Sequence, residues 1–329
     1  MRRFEPGSLV HHRTLGTGRI VAVEATALHV YFPASDTRYA AKLRWPAAGA
    51  FLSVDAPAPD PSLEALDSFA MDSTSGRYAL SASFIGQDEA VAAYLAENPT
   101  GFQVPDSPAK GPSRLGRRER WRAASALWAE TMGGGKAEAL LEDGDHAELV
   151  RRARRVAEPA LAVQGMMDSE TLAEALQPGV EVQDLFQALL GYLSVPSPAR
   201  ARFDKLCAAV HALGAPPEAA WPLVTFFPFV ASPARHVLLL PRPASAAAAR
   251  LGCDLRFQAA PSWATYVRLR DLSSRLLEKL APSGAVDHVD VEIFLHATGT
   301  RRPVAAAKRA PVPADEPAPK APRALRRAR

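Results

Sequence analysis

The spacing of apolar residues changes once along this chain, and that change limits what it can fold into. Between residues 8 and 43 apolar side chains recur at every second position, in short runs cornered by glycine. From residue 113 to about 298 they recur every three or four positions. A period of two lays one face of a strand on a core, and a period near 3.6 does the same for a helix. A small β unit followed by a helical one is expected, not alternating strand–helix units. Proline marks the seams. It stands at every second position from Pro57 to Pro61 and recurs through residues 99–112, so both stretches read as extended linkers.

Four strands are expected at residues 8–12, 19–24, 28–32 and 37–43. In the third, Leu28, Val30 and Phe32 share one face, with His29 and Tyr31 on the other. Four short strands with tight turns hide one apolar face by closing on themselves, with Val10, Ile20, Val30, Phe32 and Leu43 inside. Gly16-Thr17-Gly18 is a hairpin corner whose glycines supply positive φ. A dinucleotide fingerprint would carry a third glycine where Val21 stands, and would open a helix.

The run Pro6-Gly7, Val10-x-His12, Gly16-x-Gly18-x-Ile20, Val30-x-Phe32 and Leu43 resembles the small SH3-like (Tudor-like) barrel of CarD-like transcription regulators. It is also similar to the RNA-polymerase-interacting module of transcription-repair coupling factors and to the C-terminal domain of UvrD-type helicases. The resemblance covers about 50 residues, and neither a helicase motor nor the CarD C-terminal region accompanies it. It implies docking on RNA polymerase or another protein through an exposed strand edge and its loops. A block from Trp221 to Tyr266 resembles one in uncharacterised bacterial proteins and implies no activity.

Charge is unevenly spread. The net charge is +4, but residues 1–54 carry +4, residues 55–109 carry −8, residues 110–300 carry +1 and residues 301–329 carry +7. On the expected outer face of the barrel, Arg13, Arg19, Arg38, Lys42 and Arg44 mingle with His29 and Tyr31, a mixture suited to phosphates and stacked bases or to an acidic protein patch. The acidic stretch is the competitor that could screen this face. Two helices are expected within it, at 63–71 and 87–97.

Helices are expected in the body at 117–132, 145–158, 169–177, 182–193, 198–213, 216–230, 245–251, 262–281 and 288–297. No repeat of 20–50 residues appears, so the body reads as an irregular all-α domain. Arg114, Arg117, Arg118, Arg120 and Arg122 crowd the start of one helix, where cations oppose the macrodipole and a bound anion would relieve them. Arg151, Arg152, Arg154 and Arg155 lie at helical spacing from Glu148 and Glu158, which pair some of them off.

Searches for catalysis find little. Gly133-Gly-Gly-Lys136 lacks the first glycine of a phosphate loop and its following Ser/Thr, and reads as a connector. His288, Glu292 and His296 lack zinc-protease spacing and read as a polar outer face. Two cysteines, Cys207 and Cys253, exclude a disulfide scaffold or a Cys-rich zinc fold. No residue is nominated as catalytic, and no cofactor or metal is expected. The longest apolar stretch, residues 220–231, is too short for a bilayer and contains Pro222 and Pro228, and the N-terminal MRRFEPG has no apolar leader. A cytoplasmic location without membrane contact is therefore expected.

The tail holds six prolines, nine alanines and no aromatic residue, a composition that cannot order itself. Its Arg301, Arg302, Lys308, Arg309, Arg326 and Arg327 suit phosphates held without sequence readout. The expected organisation is a barrel (1–54), an acidic linker region with two short helices (55–112), an all-α domain (113–300) and a disordered basic tail (301–329). The expected function is a non-enzymatic accessory role in transcription or DNA repair, with the barrel on RNA polymerase or a related protein and basic segments on nucleic acid. The alternatives are an adaptor without nucleic acid, or an enzyme with its site in the helical domain.

Overall fold

The structure is a computed structural model that describes residues 4–35, 37–54, 59–103 and 116–301. Five strands, β1 (Leu9–His12), β2 (Gly16–Val23), β3 (Ala27–Tyr31), β4 (Ala41–Arg44) and β5 (Leu52–Ser53), form an antiparallel sheet in the order β4-β3-β2-β1-β5. Three of the four expected strands recur within a few residues, and β5 is additional. A register shift between Ile20 and Ala22 helps the sheet curl. Gly16 takes the left-handed turn conformation at φ 71. Gly18 does not, and its role is space: a Cβ there would lie 2.5 Å from the Phe32 ring and 2.9 Å from the Tyr31 carbonyl oxygen.

The sheet is a curled half-barrel. No ladder joins β4 to β5 among the described residues; the connection crosses between the two edges through a 3-10 turn at Ala47–Ala50. Val10, Ile20, Leu28, Val30 and Phe32 fill the concave side with Ala48 and Leu52, while Leu43 is only partly buried.

The expected exposed face of β3 is covered. All five β3 residues are buried, because the acidic stretch folds back as a helical turn, α1 (Pro61–Glu64), and a hairpin, β6 (Phe69–Asp72) with β7 (Arg77–Leu80). The helix expected at 63–71 ends after one turn, capped by Asp60 on the Ser62 and Leu63 amides, since Phe69-Ala-Met-Asp continues in a period of two. The strand expected at 37–43 divides. Its first part leaves β3 and pairs with β7, where the Ala40 amide donates to the Tyr78 carbonyl (2.8 Å) and Leu80 to Arg38 (3.0 Å). Tyr31, Ala40, Leu63, Leu66 and Leu80 make a second core beneath the sheet.

Every helix expected in the body forms: α3 (Arg117–Thr131), α5 (His146–Leu161), α6 (Ser169–Ala175), α7 (Val180–Leu193), α8 (Arg200–Ala212), α9 (Pro217–Ala231), α10 (Pro241–Arg250), α11 (Trp263–Leu280) and α12 (His288–Thr300). The connector after Gly133 turns directly into an extra helix, α4 (Lys136–Glu142). In α9 every residue from Trp221 to Val230 is buried, so this apolar helix is the centre of the bundle, not one of its faces. The buried Thr225 hydroxyl donates to the Trp221 carbonyl (2.7 Å) and accepts the Leu239 amide (3.1 Å).

The acidic stretch also ties the sheet to the body. Helix α2 (Gln87–Glu97) lies against α11 and α12, with Asp88 on Lys279 at 2.6 Å and Glu97 on Arg301. At the junction the Gly252 carbonyl accepts the Asp67 and Ser68 amides at 3.0 and 3.1 Å. Asp67 pairs with Arg268 and accepts the Asp254 amide at 2.7 Å. Gly252 sits at φ 73, where a Cβ would lie 2.5 Å from a Leu66 methyl and 2.9 Å from the Phe84 ring. Left-handed backbone and overpacking both penalise a side chain here. Gly252→Ala is expected to lower stability by about 2–4 kcal/mol; an unchanged denaturant midpoint would refute this account of the junction.

Candidate functional site

On the N-terminal sheet the expected binding residues part company. His29 is fully buried, its Nε2 3.0 Å from Glu24 and its ring edge-on to Tyr78 at 4.9 Å. Tyr31 is 5 % exposed against Phe69, and burial raises its phenol above the ordinary value. Neither ring can stack on a base. The second face of β3, which alternation assigns to solvent, is the floor of the second core. Arg19 is half-buried with Nη1 on the Leu63 carbonyl at 3.4 Å, and burial is the main force lowering its pKa. Arg38 donates to the Leu80 carbonyl (3.2 Å) and to the Tyr39 hydroxyl (3.0 Å).

Three cations stay at the surface. Arg13 is exposed in the β1–β2 turn, and Lys42 and Arg44 are exposed on β4. Among the described residues Lys42 alone of the three has an ion-pair partner, Glu24 at 3.6 Å. No strand pairs with the outer edge of β4 among the described residues. At the opposite edge Phe51, just before the His12–Leu52 pair, is 67 % exposed. Sequence reading passed over Phe51, because a lone phenylalanine after an alanine-rich turn carries no signal of exposure.

Arg117, Arg118 and Arg122 of α3 have their anions within the protein, and Arg120 donates to the Pro159 carbonyl at 3.2 Å. Arg117 Nε lies 3.0 Å from both carboxylate oxygens of Glu292, which also accepts the Trp121 indole N–H at 2.7 Å. Arg118 Nε donates to Asp290 at 2.7 Å; Arg122 reaches Asp287 and, at 3.4 Å, Asp290. The repulsion expected between these cations and the helix dipole is relieved by Asp287, Asp290 and Glu292 at the N-terminal end of α12. His288 and Glu292 are accordingly buried, not part of the polar outer face expected of them. Glu148 pairs with Arg151 and Arg152, at 2.6 and 2.7 Å, and their hydrogen bonds pull its carboxyl down to about 2. Arg301 is paired with Glu97. Arg114, Arg302, Lys308, Arg309, Arg326 and Arg327 lie outside the described residues.

The body contains a cleft of about 420 Å³ where α6, α9 and α10 begin, lined by Met166, Met167, Trp221 and Phe257 with Asp168, Glu218 and Arg242. No histidine, cysteine or serine lines it. Burial pushes the Cys207 and Cys253 thiols up to about 12 and about 11, away from the reactive thiolate. Among the described residues no three His, Cys, Asp or Glu side chains converge as a metal site, and no helix is long and apolar enough to cross a membrane. An antiparallel sheet is tied to a helical bundle through Asp67, Gly252 and Arg268. Compared with known proteins, the chain matches no family model, no curated protein and no solved structure.

Proposed function

We propose that this protein is a non-enzymatic accessory factor of transcription or DNA repair. Its N-terminal sheet docks RNA polymerase or a related protein, and its basic segments hold nucleic acid without sequence preference. The observation that carries the reading is the outer edge of β4, which no strand pairs among the described residues, with Lys42 and Arg44 exposed on that strand. A strand edge offers main-chain groups to an incoming segment, and flanking cations select an acidic one and speed encounter. At the opposite edge Phe51 is exposed, an aromatic side chain of the kind that anchors protein interfaces.

The pairing of Arg117, Arg118, Arg122 and Arg301 with internal carboxylates narrows the nucleic-acid half of this reading. It also favours the adaptor alternative, in which the sheet takes a protein and nucleic acid plays no part. The full-length chain is the right reagent for the test, because residues 61–84 complete the core under the sheet. In a binding titration against RNA polymerase, the double variant Lys42→Glu, Arg44→Glu is expected to weaken binding about ten-fold, with most of the loss in the association rate. Equal affinity for both proteins would sink the β4 reading. Removing residues 302–329 is expected to flatten the salt dependence of oligonucleotide binding. A full-length chain that binds no oligonucleotide at low salt leaves the adaptor.

A further inference from the structure

The cleft where α6, α9 and α10 begin has apolar walls and a charged rim. Phe257 stands on one wall and is 41 % exposed. Arg256 beside it has φ 47, the one positive value at a non-glycine residue among the described residues, a conformation that a Cβ disfavours. The Arg256 amide donates to the Asp254 carboxylate at 2.8 Å, and the Arg256 carbonyl accepts the Thr265 hydroxyl at 2.9 Å. On the other side of Phe257, the Gln258 carbonyl accepts the Trp221 indole N–H at 2.8 Å. The backbone is pinned before and after Phe257, so its ring is held at the surface by the fold. The ring lies 6.2 Å from that of the buried Trp221. Met166 and Pro243 add apolar surface, and a thioether adapts to irregular shapes.

The chain's C-terminal stretch leaves the body beside this cleft. Gly299, near the end of α12, lies so close to the Pro243 carbonyl that a Cβ would not fit between them, and Pro243 lines the cleft. The described residues end at Arg301, and residues 302–329 follow. Ten extended residues reach roughly 30 Å, at ~3.1 Å each, which brings Pro311 and its neighbours within range. Prolines stand at Pro311, Pro313, Pro317 and Pro319. Such segments favour an extended form before they bind, and they dock aromatic-lined grooves at low entropic cost. Charge is complementary as well. Lys308 and Arg309 precede Pro311, and Asp315 and Glu316 follow Pro313. The rim offers Asp168 and Glu218 to the bases and Arg242 to the acids.

We infer that this cleft is a docking site for an extended proline-rich segment, and that its occupant is residues 308–319 of the same chain. The proline rings pack on Phe257 and Met166, and the flanking charges meet the rim. The arginines after residue 319 stay outside the cleft, so the inference is independent of the polymerase and nucleic-acid reading.

The test is photo-crosslinking in the full chain carrying Phe257→p-benzoylphenylalanine, which keeps an aromatic ring on the wall. After irradiation and tryptic digestion, mass spectrometry of the monomer band is expected to find position 257 joined to the peptide of residues 310–320. Adding Pro311→Ser and Pro313→Ser is expected to lower the yield about five-fold. A free peptide of residues 306–320 at about 10 mM should lower it about ten-fold, since a short flexible tether sets an effective concentration of ~1 mM. No crosslink to residues 310–320 overturns the proposal. A crosslink to residues 104–115 gives the cleft to that stretch, and one that joins two chains gives it to a second copy; either result overturns it. Undiminished yield in the serine variant, or with the free peptide, shows that the segment is merely nearby, and overturns it too.

Discussion

Replacing Asp290 with alanine is expected to lower stability by about 3–5 kcal/mol, the cost typical of a broken buried ion pair. Asp290 is wholly buried and accepts Arg118 Nε at 2.7 Å, Arg122 Nη2 at 3.4 Å and the Val286 amide at 2.8 Å. Without it two guanidiniums from adjacent turns of α3 face each other across a low-dielectric seam, and an amide at the start of α12 loses its acceptor. For a chain of this size the midpoint of thermal unfolding should fall by roughly 6–12 °C. The pair Arg118→Leu, Asp290→Leu should recover part of that loss, because two apolar groups leave no orphaned charge. A single alanine variant that melts like the wild type would show that the α3–α12 ladder does not hold the body together.

Acidification should destabilise the protein well before its carboxylates titrate. His236 is 1 % exposed, its ring 4.9 Å from Tyr192 and its Nδ1 3.4 Å from the Tyr266 hydroxyl. Burial chiefly, aided by the positive charge of Arg235 and Arg270, drives its pKa down from 6.5 to about 3. The unfolded chain therefore binds a proton near pH 6.5 that the folded chain refuses until about pH 3. The neutral imidazole's contribution is complete above pH 6.5 and is lost as pH falls through that window, at about 1.4 kcal/mol per unit. Between pH 6.5 and 4.5 the loss from this group alone is roughly 2–3 kcal/mol. His288 is shifted in the same direction, again mainly by burial, and steepens the slope. Denaturant unfolding across this range should show about one proton fewer taken up by the His236→Phe variant, which keeps a ring against Tyr192. An identical pH slope in the two proteins would remove His236 from this account.

Acid sensitivity of this kind was out of reach of sequence reading. His236 follows Arg235 after an apolar helix, and nothing near it in the chain announces that Tyr192 and Tyr266 close over it. The same limit explains the α3 arginines. Their crowding at a helix start, and the strain it implies, can be read from local spacing; that the relieving anions are Asp287, Asp290 and Glu292, 165 to 175 positions away, cannot. The exposure of Phe51 likewise shows only in the folded chain.

The order of elements follows from local pattern. The switch from a period of two to a period of 3.6 and the glycine corner at Gly16 are short-range preferences of backbone and side chain, and they place three of the four expected strands and nine body helices to within a few residues. Which face meets which was decided in three dimensions. His29 and Tyr31 alternate as a solvent face should, yet a small sheet of short strands gains by burying both sides, and the acidic stretch supplied Phe69, Tyr78 and Leu80 as the second cover. The energy that settles such a choice comes from contacts between distant segments, so it shows in the packed molecule and leaves no periodicity in the chain.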